Sequence, residues 1–367
     1  MKFTIAREAL LRPLQLVAGV VERRQTLPVL SNVLVVVDNN QLSLTGTDLE
    51  VELVGKVGLE GAVIGGEITV PAKKLMDICK SLPDQSEIEF SQEEHRVIVK
   101  SGRSRFTLST LPATEFPNVE EGPGNTEFTV ATEKLKQLID KTSFAMAQQD
   151  VRYYLNGLLI EIRQGELRAI ATDGHRLALS SSEADISSEG VNQIIVPRKG
   201  IVELGRLLSD ADEAIDIVIG ASHIRVNTGG FVFTSKLVDG KFPDYERVLP
   251  KGGDKLVTAN RQELKQAFTR ASILSNEKYR GVRLLLSENT LKIIANNPEQ
   301  EEAQEEVNVE YTGDELEIGF NVSYLMDVMG VTSTDDIVMT LSDSNSSALI
   351  SESNGSDSRY VVMPMRL

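Results

Sequence analysis

One block of eight residues recurs three times at nearly constant spacing, which limits the chain to folds built from a repeated unit. Gln41-Leu42-Ser43-Leu44-Thr45-Gly46-Thr47-Asp48 is echoed by Glu166-Leu167-Arg168-Ala169-Ile170-Ala171-Thr172-Asp173 and by Thr290-Leu291-Lys292-Ile293-Ile294-Ala295-Asn296-Asn297; the leading leucines, 42, 167 and 291, lie 125 and 124 positions apart. A second block, Thr69-Val70-Pro71-Ala72-Lys73-Lys74-Leu75, matches Ile195-Val196-Pro197-Arg198-Lys199-Gly200-Ile201 and, more loosely, Gly319-Phe320-Asn321-Val322-Ser323-Tyr324-Leu325. A third, Glu115-Phe116-Pro117-Asn118, answers Lys241-Phe242-Pro243-Asp244, with Val362-Met363-Pro364-Met365 a poor third match. Such spacing implies triplication. The expected domains are residues 1–122, 127–251 and 254–367, with Gly-rich and charged linkers near 120–126 and 251–255.

Each unit opens with apolar residues at helical spacing: Leu10, Leu14, Val17 and Val21; then Leu135, Leu138 and Ile139; then Leu264 and Phe268. Alternating runs such as Leu49-Glu50-Val51-Glu52-Leu53 and Arg96-Val97-Ile98-Val99-Lys100 predict half-buried strands between turn signals such as Asp38-Asn39-Asn40 and Gly229-Gly230. Strands dominate, and connections are too short for repeated crossovers. The expected class is α+β, three repeated domains of antiparallel sheets backed by two helices each. With 367 residues, 41% of them hydrophobic, the chain can bury several cores.

No apolar run approaches the ~20 residues of a membrane span, and the N-terminus lacks a signal-peptide pattern, so a cytoplasmic protein with no membrane partner is expected. The single cysteine, Cys79, sits in the helix-like Lys74-Leu75-Met76-Asp77-Ile78-Cys79 as a buried thiol. His95, His175 and His223 are far apart, so no zinc-type ligand spacing exists, and neither metal nor cofactor is expected.

A formal net charge of −16 argues, taken alone, against a duplex-binding protein, because such affinity normally comes from a basic surface. Net charge does not locate charges, however. The helical stretches hold Arg7, Arg12, Arg23, Arg24, Lys73, Lys74, Lys80, Lys134, Lys136, Lys141, Arg198, Lys199, Arg206, Lys265 and Arg270, while strands and loops hold Glu50, Glu52, Glu87, Glu89 and Asp216. Either these are ordinary solvated helix faces, or the helices of all units share one basic side within an acidic body. The end units also contrast. Unit one carries Arg96 and Lys100-Ser101-Gly102-Arg103-Ser104-Arg105, and unit three carries Pro298-Glu299-Gln300-Glu301-Glu302-Ala303-Gln304-Glu305-Glu306. That run is either a solvated acidic loop or half of a head-to-tail contact, which would build a filament or a closed ring.

Beside this reading stands a resemblance. Leu44-Thr45-Gly46-Thr47-Asp48-Leu49-Glu50, Ser101-Gly102-Arg103-Ser104-Arg105-Phe106, Gln149-Asp150-Val151-Arg152-Tyr153-Tyr154-Leu155-Asn156-Gly157, Ala171-Thr172-Asp173-Gly174-His175-Arg176-Leu177-Ala178 and Phe233-Thr234-Ser235-Lys236-Leu237-Val238-Asp239-Gly240 closely resemble the bacterial beta sliding clamps, over the whole chain. The resemblance implies a homodimer closing head-to-tail into a six-domain ring whose helices line a hole around double-stranded DNA, held without sequence preference. It implies DNA contacts at Arg24, Lys73, Gln149, Tyr153 and Tyr154, cations suiting mobile phosphate contacts and an aromatic suiting an exposed base. It implies one hydrophobic cleft for partner peptides, formed by Leu155, Thr172, Gly174, His175, Arg176, Leu177, Pro243, Arg247, Val248, Asn321, Tyr324, Ser347, Val361, Val362, Met363, Pro364, Met365 and Arg366. A Met-rich groove can repack around several peptides, and an arginine at its rim can meet a peptide acid. Tyr279 stands where the family often has Phe. The implied dimer interface sets Lys74, Arg103, Arg105, Phe106 and Leu108 against Ile273, Leu274, Glu299, Glu301, Glu302 and Glu305 of a second copy. Implied partners are a clamp loader, the catalytic subunit of DNA polymerase III, other DNA polymerases, ligase and mismatch-repair proteins.

Two other classes fit the residues less well. A hydrolase could use Asp173, His175 and Arg176, yet Thr47-Asp48 and Asn296-Asn297 lack the histidine and no G-x-S-x-G elbow occurs. No G-x-x-x-x-G-K-[ST] loop is present either, so ring opening would fall to a separate ATP-driven machine. A sequence-specific regulator would need a recognition helix, and no helix-turn-helix signature is seen.

Overall fold

A computed structural model describes residues 1–22, 27–117, 124–186, 190–209, 214–353, 355 and 357–366. The first third of the chain runs β1 (Lys2–Ala6), α1 (Arg7–Val20), β2 (Asn32–Asp38), β3 (Gln41–Thr47), β4 (Val51–Gly58), β5 (Gly66–Pro71), α2 (Ala72–Ser81), β6 (Glu87–Glu93), β7 (Arg96–Ser101) and β8 (Ser104–Ser109). The second runs β9 (Gly124–Ala131), α3 (Thr132–Thr142), β10 (Gly157–Arg163), β11 (Glu166–Thr172), β12 (Arg176–Glu183), β13 (Asn192–Pro197), α4 (Arg198–Leu208), β14 (Ala214–Gly220), β15 (His223–Asn227) and β16 (Phe231–Lys236). The last runs β17 (Lys255–Asn260), α5 (Arg261–Ser272), β18 (Gly281–Ser287), β19 (Thr290–Asn296), β20 (Glu302–Asn308), β21 (Leu316–Asn321), α6 (Val322–Val331), β22 (Asp336–Leu341), β23 (Ala348–Glu352) and β24 (Arg359–Val362). Each third thus repeats one order of strand, helix, four strands, helix and three strands.

The chain divides into two compact units, Met1–Lys136 with Lys199–Leu237, and Gln137–Arg198 with Val238–Leu367. In the first unit the sheets are ordered β1-β6-β7-β8 and β5-β2-β3-β4-β16-β15-β14-β9. In the second they are β20-β19-β18-β21 and β13-β10-β11-β12-β24-β23-β22-β17. Two units arise from three repeats because each long sheet is shared. The middle repeat gives β9 and β14 to β16 to one, and β10 to β13 to the other. The seams are antiparallel pairs of equivalent strands: β16 on β4, with Phe233 opposite Leu53, and β24 on β12, with Tyr360 opposite Ala178.

Helix α1 buries Leu10, Leu14, Val17 and Val20 and packs on β3, β4 and α2. It stops at Val20; Val21, expected on the same apolar face, lies in extended backbone beyond it. Likewise β4 starts at Val51, because Leu49 takes a left-handed φ of 77° that no strand residue adopts. Cys79 is buried in α2, where desolvation pushes its thiol up to about 11. Among the described residues, no helix is long and apolar enough to cross a membrane.

The repeat position held by Gly46, Ala171 and Ala295 is small for a steric reason. A Cβ on Gly46 would sit 2.6 Å from the carbonyl oxygen of Val17, inside van der Waals contact with the backbone of α1. Gly46→Ala should force the helix off the sheet and cost about 1–3 kcal/mol, as overpacking does. The check is thermal unfolding: a Tm lower by a few degrees is expected, and an unchanged Tm would reject this packing.

Candidate functional site

The second unit holds all eighteen residues of the implied cleft. Its centre is the turn between β11 and β12. Asp173 Oδ1 accepts from the backbone N–H of His175 (2.9 Å) and Arg176 (3.1 Å), and the Thr172 hydroxyl donates to the Arg176 carbonyl at 2.6 Å. This makes Asp173 a turn residue. Gly174 takes φ 90°, and a side chain there would collide with the Arg152 guanidinium. The Arg176 guanidinium is held by Asp173 Oδ2 (3.0 Å), Asp327 and the Phe144 carbonyl (2.9 Å), with its carbon 4.5 Å from the centre of the Tyr324 ring. Burial and the nearby Asp173 charge push the Tyr324 phenol up.

Beneath this turn, Leu155, Leu177 and Val361 form a buried apolar cluster with Phe242 and Tyr245, and Val248 packs against it. Asn321 caps α6 by accepting from the Ser323 N–H at 2.9 Å. Val362 is buried on β24, and the chain beyond it stays attached, Met363 N–H donating to the His175 carbonyl and Met365 N–H to the Gly319 carbonyl, both at 2.9 Å. His175, Pro243, Arg247, Met363 and Arg366 are exposed; Ser347, Pro364 and Met365 are half-buried.

The segment carrying Pro243, Arg247 and Val248 belongs to no strand. It hangs on the long sheet by a buried polar clamp that sequence reasoning did not identify. The Tyr245 hydroxyl donates to Glu161 on β10 at 3.0 Å, Gln193 donates to the other Glu161 oxygen at 2.6 Å, and Arg163 donates as well. Arg163 also reaches Glu246 at 3.2 Å. Burial pushes the Glu161 carboxyl up, but these hydrogen bonds outweigh it and leave the carboxyl below its ordinary range. The available signal was a glutamate at an inward position of an apolar strand, Leu158-Leu159-Ile160-Glu161-Ile162.

Gln149, Tyr153 and Tyr154 share one loop of this unit. Gln149 has φ 55°, Tyr153 is 58% exposed, and its ring meets that of Tyr154 edge-on at 5.9 Å. Asp150 locks the loop: its carboxylate takes two hydrogen bonds from the Arg152 side chain, at 2.8 and 3.0 Å, and these hold its pKa at about 2. Arg152 also donates to the Asp173 carbonyl at 3.3 Å, tying this loop to the turn above. Lys73 lies exposed at the start of α2 in the first unit, and Arg24, like Arg23, lies outside the described residues.

Five of the helical cations are paired with carboxylates of their own unit. Arg7 is bound to Asp84 and Glu8, Lys141 is buried against Glu352, Lys199 pairs with Glu22 and Asp48, Arg206 with Glu203, and Arg270 with Glu305. These charges are neutralised within the fold. Of the implied interface residues, Lys74, Arg103 and Arg105 are exposed in the first unit, with Phe106 half-buried and Leu108 buried on the edge strand β8. In the second, Ile273, Glu299, Glu301 and Glu302 are exposed, Leu274 and Glu305 half-buried, and β20 is the edge strand.

Comparison with known proteins gives a consistent result. The three family descriptions of the DNA polymerase III beta subunit match in order: the N-terminal domain over residues 1–120, the central domain over 129–244 and the C-terminal domain over 246–366. The beta sliding clamp of Pseudomonas aeruginosa is 69% identical and that of Escherichia coli 54%, each over 100% of both chains. A crystal structure of the Pseudomonas aeruginosa clamp bound to griselimycin superposes with a TM-score of 0.97 at 69% identity, and one of Caulobacter crescentus pol III beta with 0.93 at 39%, both covering 100% of each chain.

Because Tyr245 bonds Glu161 directly, beside the Arg163 bridge from Glu161 to Glu246, Tyr245→Phe should loosen that turn while leaving the ring packed. Leaving the Glu161 oxygen one donor short costs about 1–3 kcal/mol. Hydrogen exchange should therefore accelerate roughly tenfold or more at the Val248 amide, which donates to the Tyr245 carbonyl at 3.0 Å. Unchanged protection there would show that the apolar cluster and the Arg163–Glu246 pair hold the turn without the Tyr245 hydroxyl.

Proposed function

The chain belongs to the family of bacterial DNA polymerase III beta subunits, the beta sliding clamps, and we propose that two copies close into a ring around duplex DNA and present the cleft of the second unit to peptide segments of replication and repair proteins. A beta subunit is a non-catalytic processivity factor, so the residues are to be read as tether and docking surface.

The observation that carries the ring is the repetition of one seam. Within the chain, β16 pairs with β4 and β24 with β12. The strand equivalent to β4 and β12 in the third repeat is β20, and the strand equivalent to β16 and β24 in the first is β8; both end their sheets. Phe106, Phe233 and Tyr360 occupy the same hairpin position, so the two internal registers carry over to β8 of a second copy. Phe106 then faces Ala303, Arg105 faces Gln304 between Glu302 and Glu306, and Arg103 faces Glu306. Two such junctions related by a two-fold axis close a ring and leave no free edge. The domains are 1–122, 127–251 and 254–367, and all three take part.

Encirclement explains how a chain of net charge −16 works on DNA. A topological link needs little direct affinity, and Arg24, Lys73, Gln149, Tyr153 and Tyr154 serve as passing contacts to phosphate and exposed bases. The cleft takes partners in turn: the clamp loader, the polymerase III catalytic subunit, other DNA polymerases, ligase and mismatch-repair proteins. Its apolar floor supplies burial, and exposed Arg247, Arg366 and His175 supply a rim for acidic groups. Griselimycin, bound by the Pseudomonas aeruginosa clamp, is expected to bind here as well.

Two experiments test this. Arg103→Glu with Arg105→Glu sets like charges along the β8 to β20 junction, which costs several kcal/mol, so the dimer Kd should rise at least about 100-fold; a dimer persisting at nanomolar concentration in sedimentation would sink the interface. Separately, protein loaded by its loader and ATP onto nicked circular DNA should leave on linearisation. Retention on both forms would indicate direct binding in place of encirclement.

A further inference from the structure

Partner docking on this cleft needs a dry apolar floor, yet the cleft also displays an oxidisable sulfur. The chain has eight methionines. Met146, Met329 and Met339 are buried, and Met1, Met76, Met326 and Met365 are half-buried, the sulfur of Met326 also accepting from the Thr269 hydroxyl at 3.8 Å. Met363 alone is exposed, at 37%. Its backbone N–H donates to the His175 carbonyl at 2.9 Å, which ties the residue to the turn between β11 and β12, and Val361, two residues before it, belongs to the apolar cluster.

We propose that Met363 is an oxidation site through which peroxides weaken partner binding. The thioether sulfur attacks one oxygen of hydrogen peroxide, the O–O bond breaks, and the departing hydroxide takes the proton of the transferred hydroxyl. The sulfur is oxidised to the sulfoxide, and the peroxide is reduced to water. The product replaces a soft apolar atom with a strong acceptor, which a docked apolar ligand would bury without a donor. Thioredoxin-driven sulfoxide reductases reverse such a change, so it can act as a switch.

The inference rests on the cleft as the docking site, and the test separates the two. Full-length dimer is treated with limiting hydrogen peroxide, the site of oxygen gain is mapped by peptide mass spectrometry, and griselimycin is titrated by calorimetry before and after. Oxygen should appear first on Met363, the Kd should rise tenfold or more, and sulfoxide reductases A and B with dithiothreitol should restore it. In Met363→Leu the ratio of Kd after to before treatment should stay near one, whatever the starting value. Oxygen arriving first elsewhere, or an unchanged Kd with Met363 oxidised, overturns the oxidation site. Failure of the untreated protein to bind griselimycin overturns the cleft reading, and this proposal with it.

Discussion

The constraint on which the fold depends is that a sheet edge must be paired. Each repeat ends one four-strand sheet half at a strand equivalent to β4 and the other at a strand equivalent to β8, and neither half is closed by its own repeat. Joining the two kinds of edge, as β4 with β16 and β12 with β24 do, turns four-stranded halves into eight-stranded sheets and buries Phe233 and Tyr360 at the seams. Such an edge left open is a template for aggregation. The chain uses the same pairing twice internally and leaves the equivalent strands of its first and third repeats, β8 and β20, at sheet edges.

Electrostatics supports this arrangement locally. Where a seam or helix contact needs a cation, one is supplied and matched: Lys141 is buried against Glu352, which also takes hydrogen bonds from Ser333, and Lys199 bridges Asp48 and Glu22. Removing one member of a buried pair leaves an uncompensated charge, a loss of about 3–5 kcal/mol. Such cations serve the scaffold. The charges left at the ends behave differently: Arg105 on β8 and Arg103 in the turn before it are exposed, as are Glu302 and Glu306 on β20. Exposed charges of this kind contribute little to the stability of the fold that carries them.

Much of this was legible in the sequence because triplication constrains every repeat by the other two. The three aligned blocks starting at Gln41, Glu166 and Thr290 each fall on one strand, β3, β11 and β19, and the first residue beyond it. What periodicity could not show was where a pattern stops. Val21 continues the spacing of α1 but lies beyond the helix, and Leu49 continues the alternation of β4 but occupies a left-handed turn. Charge was harder still. A lysine in a helix reads the same whether its ammonium faces solvent or, like Lys141, a buried carboxylate from a strand more than two hundred residues away. The division of the middle repeat between two sheets was equally invisible, since it follows from edge pairing and not from local propensity.

The two internal seams carry the same turn but close it differently. Asp48 and Asp173 build the same turn, each accepting from the backbone N–H groups two and three residues on. In the first unit the second oxygen of Asp48 is taken by Lys199, and the turn passes through Leu49 at φ 77°, a conformation that costs energy for any residue with a Cβ. In the second unit the position equivalent to Lys199 is Ser323, so no lysine closes the turn. The second oxygen of Asp173 is taken by Arg176 of the same turn, whose guanidinium lies over Tyr324, and Gly174 occupies the left-handed position without strain. A lysine from the neighbouring repeat has been exchanged for an arginine of the turn itself, which pairs with Asp173 and lies over Tyr324 beside an apolar cluster. The backbone of the turn is the same in both units, so the exchange leaves the sheet pairing unchanged.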